Sequence, residues 1–217
     1  MDKSSVETVR RTISQLRPSV VAVELDENRL WALKDPDRGK LDSPFRSGLL
    51  PWLLALLERS VGSLTEVFPG TEMLEAVEEG QTIGARVVMI DKPIDEILKR
   101  LREIPLTERA RIGIDTLAAL VRIGARRTII VGDKDLHKLM SEFDTKYPTL
   151  SRILVKERDE YMAKELYEIL ASTSGQVVAV VGLGHVRGIM QNLAQKEAAS
   201  SRENVELRYE WTLLTFP

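Results

Sequence analysis

Valine-rich apolar runs that halt at an acid or a glycine recur along the chain: SVVAVELD (Ser19–Asp26), RVVMIDKP (Arg86–Pro93) and QVVAVVG (Gln176–Gly182). Short continuous runs of this kind predict strands buried on both faces, which belong in a parallel sheet. Between them the pattern changes to helical spacing. Val6, Val9, Ile13 and Leu16 lie on one face of a helix over Ser4–Leu16, which Pro18 stops. Further helices are predicted over Pro44–Ser60, Thr71–Gly84, Ile94–Leu101, Thr107–Gly124 and Asp159–Leu170. Thr128–Leu136 is too short for periodicity to decide, and helix is the preferred assignment. At the end, Val205, Leu207, Tyr209 and Trp211 alternate with Glu206, Arg208 and Glu210, which predicts a half-buried edge strand. Lys34–Ser47 reads as a long loop able to cover a site. The alternation of strands and helices implies an α/β fold: a single domain over residues 1–217, with a mostly parallel central sheet, flanking helices and a helical insertion.

Composition narrows the function classes. A chain of 217 residues that is 43% hydrophobic supports one substantial core. Its 31 basic and 33 acidic residues nearly cancel, so no broad basic field exists for nucleic acid. The absence of cysteine rules out disulfides, thiolate metal sites and a cysteine nucleophile, and leaves any metal to His, Asp and Glu. The first residues, MDKSSVETVRRTISQLRP, lack an apolar targeting segment, and LLPWLLALL (Leu49–Leu57) is too short to span a bilayer. A cytoplasmic protein with no transmembrane segment is expected.

In an open α/β sheet, ligands bind beyond the carboxyl ends of the strands. The residues there are Glu24, Asp26 and Arg29 after the first run, Asp91 and Lys92 after the second, and Gly182, Gly184 and His185 after the third. If the strands are neighbours, carboxylates and an imidazole share one rim, where they can hold a divalent cation or exchange protons. Each residue also has an ordinary structural reading. Asp26 precedes ENRLWAL and suits a helix cap. Asp91 precedes Lys92-Pro93 and serves equally as cap or site residue. His137, in KDLHKLM, reads as part of a solvated helix face. Glu24 differs, because a carboxylate inside an apolar run needs a partner to offset burial. His185 stands among glycines that leave room for a ligand. The run Gly182-Leu-Gly184-His-Val-Arg-Gly188 also has the order of a dinucleotide fingerprint, but about thirty residues remain after it, too few for further βα units.

Taken in order, VVAVELDENR, PGTEM (Pro69–Met73), VVMIDKPI, ERDEYMA (Glu157–Ala163) and VVAVVGLGHVRGI resemble the motifs of the TraB/PrgY pheromone-shutdown family, itself similar to the Tiki metalloproteases. The resemblance covers about residues 5–190. It implies a fold of the erythromycin esterase and ChaN-like group, with two Gly-x-x-His motifs and carboxylates around a divalent metal. Gly182-Leu-Gly-His185 matches the second motif. By the same carry-over Glu24 is a metal ligand or base, Arg158 holds a carboxylate or an anionic intermediate, and Glu72 supports the site. The first histidine motif has no counterpart, so the domain reads as shortened at its N-terminus, and Lys92 stands where relatives usually place arginine.

The expectation is therefore a metal-dependent hydrolase acting on small peptides. His185, Glu24 and Asp91 are the candidate ligands of Mn, Co or Zn, His185, Glu24 and Arg158 the catalytic set, and Glu72, Arg29, Gly182 and Gly184 the substrate contacts. The alternative is a protein that retains a peptide without cleaving it. The apolar stretch Leu49–Leu57 reads as a core helix in preference to a docking surface. Loss of a first strand would leave a sheet edge for a second subunit to cover, which predicts a homodimer.

Overall fold

A computed structural model of the chain describes residues 3–34, 71–121 and 133–200. Helix α1 (Lys3–Leu16) leads into strand β1 (Val20–Val23), followed by α2 (Glu27–Lys34), α3 (Thr71–Thr82) and β2 (Arg86–Met89). Then come α4 (Ile94–Leu101), α5 (Leu106–Val121), α6 (Asp133–Lys146), α7 (Pro148–Ser151), a π-helical turn (Arg152–Lys156) and α8 (Glu157–Ser172). Strand β3 (Val177–Val180) and α9 (Leu183–Ser200) complete the described chain.

The strands form a parallel sheet in the order β2-β1-β3, with β1 at the centre. Because β1 is paired on both sides and covered on both faces, all of Val20–Val23 is buried, as its unbroken apolar run requires. Alternate residues serve opposite faces. Val20 and Ala22 pack with Met162, Ala163 and Leu166 of α8 and Ile189 and Leu193 of α9. Val21 and Val23 pack with Val9 and Ile13 of α1 and Ala76 and Val77 of α3. The described residues thus make an α/β arrangement with helices on both sides of the sheet.

Register fixes where the site can be. Val23 is opposite both Met89 and Val180, so the three strands end at one level. Backbone bonds continue past them, from Glu24 N to Val180 O at 3.0 Å and from Asp91 N to Leu25 O at 3.2 Å. After β1 the chain turns toward the α1/α3 face, and after β3 toward the α8/α9 face. The gap between β1 and β3 is therefore a switch point, the usual place for a ligand in such sheets.

The expected helical insertion lies between β2 and α8. It has its own core, formed by Ile97 and Leu101 of α4, Ile112 of α5, Leu150 of α7 and Ile153 of the π turn. Glu108 is buried there and accepts from the backbone N–H groups of Thr149 and Leu150, at 3.2 and 2.9 Å, which caps α7. Helix Ile94–Leu101 has the expected bounds, and the other described helices differ from expectation by up to three residues at an end, as fraying and capping allow. The clearest case is α3, which stops at Thr82 because Gly84 takes a left-handed φ of 77° and Ala85 N returns to Gly80 O. Of Thr128–Leu136, Asp133 onward is helical. The helix expected over Pro44–Ser60, the loop beyond Lys34, the run Leu49–Leu57 and the C-terminal strand all lie outside the described residues. Among the described residues, no helix is long and apolar enough to cross a membrane.

Candidate functional site

Glu24 follows the last residue of β1 and its side chain stays at the rim, almost fully buried. One oxygen, Oε2, accepts from Gly182 N at 2.6 Å. The other, Oε1, accepts from Arg158 Nη2 at 2.5 Å and lies 3.3 Å from His185 Nε2. The glycine is needed for this approach, since a Cβ at 182 would come within 3.1 Å of Glu24 Oε2. The first and third strand ends are thereby tied together through a side chain, and the two residues expected to share a hollow face each other.

Arg158, in the first turn of α8, ties in the second strand. Its Nε donates to Asp91 Oδ1 at 3.0 Å and its Nη2 to Asp91 Oδ2 at 2.5 Å, a forked grip on one carboxylate. The preceding π turn contributes to its aim. There Glu157 N bonds to Arg152 O, and the Leu154 carbonyl accepts from Arg158 Nη1 at 3.1 Å. Burial alone would lower the Arg158 pKa, but hydrogen bonds and charge from Asp91 and Glu24 raise it above the ordinary arginine value. Arg29 closes the other side: it donates through Nε to Asp26 Oδ2 at 2.5 Å and through Nη2 to Asp91 Oδ2.

Asp91 is consequently the centre of an ionic cluster. Burial pushes its carboxyl up, yet Arg158 and then Arg29 outweigh burial and hold it at a pKa of about 2. It does not cap α4, whose first turn has no side-chain cap; the cap reading of Asp91 gives way to the ionic one. Asp26 caps α2, as its structural reading expects, and also pairs with Arg29. Oδ1 accepts from Asn28 N and Arg29 N at 2.9 and 3.1 Å, capping α2, while Oδ2 pairs with Arg29. Lys92 turns away toward Glu157 at 3.5 Å.

His185 sits in the first turn of α9, where its N–H bonds to Gly182 O at 2.9 Å. Its Nδ1 lies 2.6 Å from Asp159 Oδ1, so the ring is held at both nitrogens by carboxylates. Burial raises the Asp159 pKa, and the hydrogen bond and charge of His185 only partly offset it. A doubly protonated imidazole donates to both acids; a singly protonated one accepts a proton from whichever acid carries it. Asp159 was not singled out by the sequence reading. A signal for it exists, because Asp159, Met162, Ala163 and Leu166 occupy one helical stripe in which the aspartate is the single polar member.

Among the remaining candidates, Gly184 has no described residue outside its own helix turn within 4 Å of where a Cβ would stand. Glu72 is buried in the first turn of α3, and neither carboxylate oxygen has a hydrogen-bond partner among the described residues. Its position follows from Gly80, which abuts Val21 of β1 and Val87 of β2. Glu72 lies eight residues before Gly80 on the same helix, a rise of about 12 Å. The side chain of His137, on α6, lies outside the described residues.

The donor set bears on the metal that the motifs imply. Both oxygens of Asp91 are hydrogen-bonded to guanidinium groups, and Glu24 is shared between Arg158, Gly182 and His185. Among the described residues no three His, Asp or Glu side chains are grouped so as to hold a metal ion. A buried guanidinium stands between the two acids where a cation would have to lie, so the described residues do not by themselves fit a metal centre.

Comparison with known proteins adds the lineage. The sequence model of the TraB/PrgY/gumN family matches residues 1–201. An uncharacterized protein of Methanocaldococcus jannaschii is 31% identical, over 95% of this chain and 54% of its own length. TraB domain-containing proteins of Bos taurus and Homo sapiens are 28% and 27% identical, each over 85% of this chain and 58% of the relative. The chain spans little more than half the length of these relatives.

Proposed function

Because the chain belongs to the TraB/PrgY/gumN family, and because its ionic cluster ends in an imidazole held between two carboxylates, we propose that it is a hydrolase cleaving amide bonds in small peptides, with His185 as the proton carrier. The observation that supports this reading is the pair of contacts on the ring, Asp159 at 2.6 Å on Nδ1 and Glu24 at 3.3 Å on Nε2. The carboxylate on Nδ1 orients the ring, and the longer contact leaves Nε2 able to exchange a proton with water. In the reaction, Nε2 takes a proton from a water as its oxygen attacks the carbonyl carbon, and returns it to the departing amine.

Arg158 serves this chemistry by holding Glu24 and Asp91 in place, since its fork is occupied by them. Negative charge developing on the carbonyl oxygen falls to the backbone N–H groups at the head of α9, around Gly184. Glu72, buried and without a hydrogen-bond partner among the described residues, suits the ammonium group of a peptide. On this reading the fold is of the erythromycin esterase and ChaN-like kind, works in the cytoplasm, and pairs as a homodimer through an outer strand of the sheet. No step passes through a metal ion, in keeping with the donor set.

A second reading, retention of a peptide without cleavage, is favoured by one observation: every oxygen of Glu24 and Asp91 is already hydrogen-bonded. Mass spectrometry of peptide mixtures incubated with the protein separates the two. Hydrolysis predicts fragments that persist in a chelator and fall by about 10²–10⁴-fold in His185→Gln. Intact peptide co-eluting with the protein supports retention, and neither fragments nor binding defeats both readings. Cleavage abolished by the chelator and restored by Mn, Co or Zn would return the metal to the mechanism.

A further inference from the structure

Helices α8 and α9 approach each other at a glycine. A Cβ at Gly188 would lie 2.5 Å from Asp159 Cγ and 3.0 Å from Asp159 Cβ, and closer still to its carboxylate oxygen. The contacts with the carboxylate are shorter than real atoms make, so the carboxylate must shift, whereas the contact with Asp159 Cβ needs only a few tenths of an ångström of give. A side chain at 188 therefore pushes the Asp159 carboxylate out of its seat. The same face of α9 carries His185, three residues earlier, and Ile189 and Leu193, which pack on Met162, Ala163 and Leu166 of α8. Asn192 Nδ2 also donates to Gly188 O at 2.9 Å, bracing the backbone at the notch.

The neighbouring residue makes the spacing consequential. Arg158 fastens α8 to β1 and β2 through Glu24 and Asp91, so the α8 backbone is held in place and the Asp159 carboxylate is the group that gives way. A shift at 188 therefore opens the 2.6 Å contact between Asp159 and His185 while leaving the arginine cluster intact.

We propose that Gly188 and Asp159 form a positioning pair: the notch at Gly188 seats the Asp159 carboxylate, which holds His185 by Nδ1 and thereby turns Nε2 toward Glu24. Asp159 is then a positioning residue for the reaction, and the side chain at 188 decides whether His185 can act. The proposal rests on the reading of His185 as proton carrier, but its test does not depend on finding a substrate.

The imidazole itself is the probe. The chain has two histidines, so a His137→Gln background leaves one ring, whose nitrogen shifts are read at a fixed pH after 15N-histidine labelling. The expected result is that Gly188→Ala and Asp159→Asn both move the Nδ1 signal, with folding verified by circular dichroism and thermal melting. The double variant Gly188→Ala/Asp159→Ala should match Asp159→Ala in ring shifts and be at least as stable, because the alanine at 188 then meets no carboxylate and only a Cβ at 3.0 Å. It also keeps the test intact if Gly188→Ala alone does not fold. Where peptide turnover is measurable, Asp159→Asn lowers kcat by about 10²-fold, as a misplaced catalytic ring does, with KM nearly unchanged. Ring shifts that stay at wild-type values in folded Gly188→Ala, or a double variant that loses stability beyond Asp159→Ala, would overturn the proposal. Absent turnover with the predicted ring shifts defeats the hydrolase reading alone.

Discussion

Asp91 and Asp159 are both aspartates, both about one-twentieth exposed, and both lie at the rim beside Arg158, yet they titrate in opposite directions. Asp91 is held at a pKa of about 2, while Asp159 is raised. Burial pushes each of them up, and the difference lies in what opposes it. Two guanidinium groups grip Asp91, whereas Asp159 has one imidazole. The guanidinium half of the site is thus ionised scaffolding, and in the other half a raised carboxyl meets an imidazole. A pairing of that kind suits acid–base chemistry.

The sharpest way to break this contrast is to remove the shared guanidinium. Arg158→Ala leaves Asp91 and Glu24 buried with one fewer cation between them, and such an uncompensated charge costs about 3–5 kcal/mol. Urea unfolding should report a loss of that size, and Arg158→Lys should recover less than half, because an ammonium cannot fork across two acids. A loss under 1 kcal/mol would mean that the cluster is not the scaffold described.

Next in size is the acid limb. The folded-state pKa of Asp91 is depressed from the ordinary 3.8 to about 2, so its contribution is fully present above pH 4 and is lost as pH falls toward 2. The difference corresponds to about 2 kcal/mol. Asp91→Asn should therefore lower stability at neutral pH by about that much, and its urea midpoint should fall less steeply between pH 4 and pH 2 than that of the wild type.

How much of this could be read from the chain depends on whether a residue's role was local. The strands were legible because Val20–Val23, Val87–Met89 and Val177–Val180 are continuous apolar runs, although only the central β1 is buried throughout while β2 and β3 are partly exposed. Glu24 and His185 were legible as rim residues because Glu24 follows β1 directly and His185 lies in the first turn of the helix after β3. The ion pairs of Arg29 were not: it joins Asp26 to Asp91, a separation of 62 residues for the second partner. Asp91 stayed divided between cap and site because the sequence shows the proline that follows and hides the arginine 67 residues away. Gly188 was hidden in another way, for a glycine inside a helix signals a close approach without naming what approaches. The π turn before Glu157 has no composition signature at all, although it sets the aim of Arg158.

The smallest stability effect is expected at Asp159, and it tests the comparison most finely. A carboxyl whose folded pKa is raised contributes stability below its unfolded pKa, and that contribution is lost as pH rises through the raised value. At neutral pH its charge is therefore a burden on the fold and not a support. Asparagine keeps the shape and a hydrogen-bonding oxygen for His185 Nδ1 while removing the charge. Asp159→Asn should change stability at pH 7 by less than about 1 kcal/mol, in either direction, and the gap between variant and wild type should shift toward the wild type as pH falls through the raised value, the shift being complete near the ordinary value of 3.8. Thermal melts across that range measure it. The same aspartate-to-asparagine exchange at position 91 has the opposite pH profile, so matching profiles for the two variants would erase the division between the ionised half and the half in which a raised carboxyl meets an imidazole.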